Sequence, residues 1–73
     1  MNASDLLHAI NSISISIYNL KFCASLSELQ ESRLAIRSYI YELRTDLSAH
    51  SYILLVDGLD FSFNEHSAKF EGV

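Results

Sequence analysis

The chain has 73 residues, enough for one small domain near the lower limit for folding unaided and too few for separate cofactor and substrate domains. Nine acidic against five basic residues leave a net charge of -4, which lacks the cationic footprint of a phosphate-binding surface, so direct nucleic-acid binding is not expected. The longest apolar run, Tyr52 to Val56, falls far short of the ~20 residues that span a bilayer, and no membrane partner is expected.

Asp5 precedes every basic residue, unlike a secretory leader. The single Cys23 lies between Phe22 and Ala24, where it reads as a small buried hydrophobe, and a reducing compartment such as the cytoplasm is expected.

The first segment opens with Ser4 as a candidate N-cap and Asp5 in the first turn, both suited to a helix start. Leu6, Ile10, Ile13, Ile17 and Leu20 then recur at steps of four, three, four and three, the stripe of an amphipathic helix over about 4–22. The alternation Ser12 to Ile17 would also suit a half-buried strand, but the stripe extends beyond it in both directions. Ile15, Tyr18 and Phe22 form a second apolar line beside the first. A helix apolar over so much of its circumference must be covered on more than one side.

The second segment carries two capping boxes, Ser25 with Glu28 and Ser27 with Gln30. Leu29, Ile36, Ile40, Leu43 and Leu47 keep helical phase beyond them, which predicts a helix over about 27–48. The short link around 23–25 makes the two helices antiparallel neighbours. After Ser51 the period changes. Tyr52 to Val56 is a short apolar run, Asp57-Gly58 is a type I′ turn signal, and Leu59 to Phe63 alternates, so a β-hairpin is predicted over 52–63. The rival is a short helix ending at Gly58. Residues 64–73 read as a turn followed by a short or frayed tail. The expected fold class is therefore α+β and mainly helical, an antiparallel two-helix hairpin followed by a C-terminal β-hairpin, with an all-α bundle as the alternative.

Little in the chain points to chemistry. His8, His50 and His66 lack metal-helix spacing, Cys23 has no Cys or His two to four residues away, and two glycines cannot form a phosphate-binding loop. No cofactor, metal or catalytic residue is expected. An enzyme would have to draw on His50 or His66 near Asp60 or Glu65, side chains that ordinarily form surface pairs. Tyr18, Tyr39, Phe61, Phe63 and Phe70 read as core aromatics.

Two features suit a protein partner. Arg33, Arg37, Tyr41 and Arg44 fall at steps of four, four and three on the second helix, and Arg and Tyr are enriched at binding hot spots. Against that stands an ordinary solvated face with local pairs, Glu28 near Arg33 and Asp46 near His50. Asp57, Asp60 and Glu65, together with Glu71, make the C-terminal third acidic, either as solubilising surface or as a patch for a basic partner.

The expected function is that of a small interaction protein: a regulator, adaptor or inhibitor that homodimerises or docks on a larger protein. Leu6, Ile10, Ile13 and Ile17 would form the apolar contact, with the arginine line and the acids around it. The alternative is an acidic mimic that occupies the nucleic-acid site of another protein.

Overall fold

Residues 1–71 are described by a computed structural model. Asn2 begins the first helix: its Oδ1 accepts the Asp5 N–H at 2.8 Å, so the cap falls two residues before Ser4. The helix α1 spans Ala3–Tyr18 and tightens into a 3₁₀ turn, Asn19–Phe22. The Ser/Ile block stays helical. Ser14 satisfies its hydroxyl on the Ile10 carbonyl one turn back, at 3.0 Å, which removes the advantage a strand would offer it.

The helix α2, Leu26–Glu42, starts at the first capping box. The Glu28 N–H donates to Ser25 Oγ at 3.1 Å and the Ala24 N–H donates to the Glu28 carboxylate at 3.2 Å, two orphan donors satisfied together. Its end comes earlier than the periodicity predicts. From Leu43 the backbone passes into turns, with the Arg44 N–H on the Tyr41 carbonyl and the Asp46 N–H on the Leu43 carbonyl. The Arg44 guanidinium holds the Tyr41 carbonyl as well, at 2.8 Å. The reversal lets Leu43 and Leu47 keep facing the core while the chain turns back.

The β-hairpin does not form. Residues Ala49–Glu71 are one continuous helix, α3, and no strand occurs among the described residues. The rival helix ending at Gly58 is overturned too, because α3 passes straight through it. The alternative all-α architecture is the one adopted. Tyr52, Val56, Leu59, Phe63 and Phe70 fall at steps of four, three, four and seven, and all face the core. Asp57-Gly58 favours a turn only locally. Gly58 costs a helix about 1 kcal/mol relative to Ala, whereas each core side chain on either side of it contributes roughly 1.5–3 kcal/mol on burial. Gly58 has a helical φ, and a Cβ added there would meet nothing within 4 Å. Gly58→Ala is therefore expected to stabilise the isolated chain by about 0.5–1 kcal/mol, a rise of several degrees in melting temperature by circular dichroism. An unchanged or lower value at low concentration would contradict an open helical site.

The three helices pack into an elongated body of 45 × 18 × 15 Å. Ile13, Leu20, Leu29, Ile40 and Leu59 are the large side chains fully inside. Ser62 Oγ donates to the Ile17 carbonyl at 3.3 Å, and Lys69 Nζ donates to the Lys21 carbonyl at 3.0 Å. Both pairs increase in the same direction, so α3 runs parallel to α1, with α2 antiparallel to both.

Candidate functional site

The predicted apolar contact divides between the chain's own core and its outer surface. Ile13 is 1% exposed and belongs to the core, Ile17 packs against that core, and Leu6 and Ile10 are half-buried. At 100° per residue, the opposite side of α1 carries Leu7, Ile15 and Tyr18, followed by Phe22 on the 3₁₀ turn. All four are more than half exposed. The second line legible in the sequence is thus the outer one.

The same phase argument applies to α3. Leu59 is fully buried; the side turned away from it carries Asp57, Phe61 and Leu54, with Glu65 and then Gly58 following round toward α1. Phe61, expected in the core, is 72% exposed, and Tyr18 also lies outside, whereas Phe63 and Phe70 do pack inward. Because Ser62 and Lys69 face α1, the outer lines of α1 and α3 flank one seam. This α1–α3 face holds six large apolar side chains: Leu7, Ile15, Tyr18, Phe22, Leu54 and Phe61. Lys21 lies at its edge, its ammonium 3.9 Å from the Tyr18 ring centroid and 5.1 Å from that of Phe22.

Arg33 and Arg37 of the arginine line meet Asp60 on the α2–α3 face. The Arg33 guanidinium donates to Asp60 Oδ1 at 2.9 Å and lies 4.5 Å from the Phe63 ring centroid; Arg37 comes within 4.0 Å of the same oxygen. Arg44 instead stacks on Tyr41 at 3.8 Å. Asp57 and Glu65 are exposed, so of the three predicted acids Asp60 alone is held by the chain's own arginines. Glu28 and Asp46 take partners other than the expected Arg33 and His50. Glu28 caps α2, and Asp46 lies 3.8 Å from the N-terminal ammonium.

With both partners about one-third exposed, Arg33–Asp60 remains screened by water. A double-mutant cycle with Arg33→Ala and Asp60→Ala is expected to give a coupling of about 0.2–1 kcal/mol that shrinks with added salt. A salt-insensitive coupling above about 2 kcal/mol would contradict this account of the pair.

Surface cavities of about 370 and 320 Å³ lie on either side of Leu34, toward Tyr52 and toward Phe63 respectively. Another, of about 260 Å³, separates the end of α1 from α2. Cys23 lines it, buried, with its Sγ 3.8 Å from Ser32 Oγ. His50 and His66 are sixteen residues apart on α3, about 24 Å at 1.5 Å per residue, so they do not converge on one site. No group of three metal-binding side chains occurs among the described residues, and no helix there is long and apolar enough to cross a membrane.

The sequence pattern does not single out Leu7 or Lys21, takes Leu54 as part of a strand, and places Phe61 in the core. The signal was present: Leu54 and Phe61 are seven apart, two helical turns, visible once 49–71 is read at a period of 3.6. Compared with protein-family models, curated proteins and solved structures, the chain matches none.

Proposed function

We propose that this chain is a small protein-interaction module that works by helix-face association, as a homodimer or seated on a larger protein. The observation behind this reading is the α1–α3 face, toward which helical phase turns six large apolar side chains that are each more than half exposed. Monomeric soluble proteins rarely leave contiguous apolar patches of more than a few hundred Å² uncovered, and larger ones mark interaction sites. The chain also has little interior to spare. Among the described residues five large side chains are fully buried, and covering the outer face would add apolar burial that a domain of this length lacks.

A photo-cross-linking side chain in place of Phe61, compared in producing cells with one in place of the exposed Ser12 on the polar side of α1, tests the reading. Protein adducts are expected from position 61 and not from position 12. Equal labelling, or no adduct from position 61, would end it.

A further inference from the structure

Building on that reading, we infer that the α1–α3 face is covered by a second copy of the chain, related by a two-fold axis parallel to the helices, so that α1 of each copy lies over α3 of the other. A rotation about such an axis keeps every residue at its own height along the bundle, and the structure gives those heights. Ser62 meets the Ile17 carbonyl, which levels position 17 with position 62. At about 1.5 Å per residue in both parallel helices, Ile15 lies within one residue of the level of Phe61, and Leu7 within about 3 Å of Leu54. Ile15 of one copy would therefore face Phe61 of the other, and Leu7 would face Leu54.

Charge follows the same register. Glu65 lies three residues beyond Ser62, level with the stretch between Tyr18 and Lys21. Neither Lys21 nor Glu65 forms an ion pair among the described residues, and across the two-fold each would meet the other twice per dimer. An antiparallel arrangement would instead bring Lys21 to the Leu7 and Leu54 end, away from Glu65. Gly58 fits as well. It lies on this face between Leu54 and Phe61 with open space over it, and its missing side chain permits close approach of a partner helix backbone.

The area is of the right order. The three aromatics, each ~150–250 Å² and more than half exposed, offer about 400 Å² per copy, and Leu7, Ile15 and Leu54 extend this toward the ~800 Å² each partner contributes to a standard specific interface.

Light scattering of the purified full-length chain over a concentration series, with circular dichroism on the same samples, tests the inference. A dimer is expected for the native sequence. Lys21→Glu and Glu65→Lys should each weaken it about tenfold by opposing like charges, and the double variant should restore it. Gly58→Leu, whose Cβ meets nothing within 4 Å inside its own chain, should stay helical and become monomeric. A dimer indifferent to all of these variants overturns the face and register. A chain monomeric at every concentration overturns the second copy as occupant, while adducts from position 61 in cells would still leave the interaction reading standing.

Discussion

Leu59→Ala is expected to remove about 2–4 kcal/mol of stability. Leu59 is fully buried in α3, next to the Gly58 through which the helix must hold. A chain of this length has roughly 4–11 kcal/mol in total, at ~0.05–0.15 kcal/mol per residue. The loss therefore consumes a large share, and the melting temperature should fall by ~8–32 °C, at ~4–8 °C per kcal/mol for domains of this size. Phe61→Ala, two residues along, removes a larger side chain that is mostly in water, so it should move stability by no more than ~0.5 kcal/mol at concentrations where the chain is monomeric. Thermal melts followed by circular dichroism distinguish the two. Equal losses at 59 and 61 would contradict a continuous α3, because the hairpin's alternation puts both residues on one face.

Ile13→Asp carries the other large effect. Ile13 is 1% exposed among the core side chains, and a carboxylate placed there finds neither water nor a cationic partner. Burying an unpaired charge costs several kcal/mol, comparable to the whole stability of the domain, so the variant should be largely unfolded at neutral pH in urea titrations and by circular dichroism. Ile15→Asp is the matched control. Its side chain stands on the outer face, and the dilute variant should fold as the native chain does while its association is lost. A cooperative, native-like transition for Ile13→Asp would refute the assignment of that line of α1 to the core. Together the two variants separate the apolar line that folds the chain from the line left for a partner.

The helical hairpin was readable from local chemistry. Ser25 and Glu28 form the capping box that their spacing indicates, because the bonds involved lie within four residues of one another. The stripe through Ile13 and Leu20 likewise identified the buried face of α1, because a period of 3.6 places those residues on one side whatever they pack against. The doubled apolar character of α1, with Ile15, Tyr18 and Phe22 beside that stripe, was legible for the same reason.

The end of α2, the continuity of α3 and the sorting of its aromatics were not available from local pattern. Asp57-Gly58 carries a turn preference worth about 1 kcal/mol, and Leu59-Asp60-Phe61-Ser62-Phe63 reads equally well at periods of 2 and 3.6. What decides between them is the surface offered by α1 and α2. Tyr52, Val56, Leu59, Phe63 and Phe70 together cover it only when α3 is helical. Packing then leaves Phe61 outside and brings Asp60 to Arg33 across 27 residues of chain. Length, charge, caps and the stripes of the first two helices are properties of neighbouring residues and can be read from their order. Which of two nearly balanced conformations the last third adopts, and which apolar line is left facing solvent, depends on long-range burial that exists only once the three helices have met.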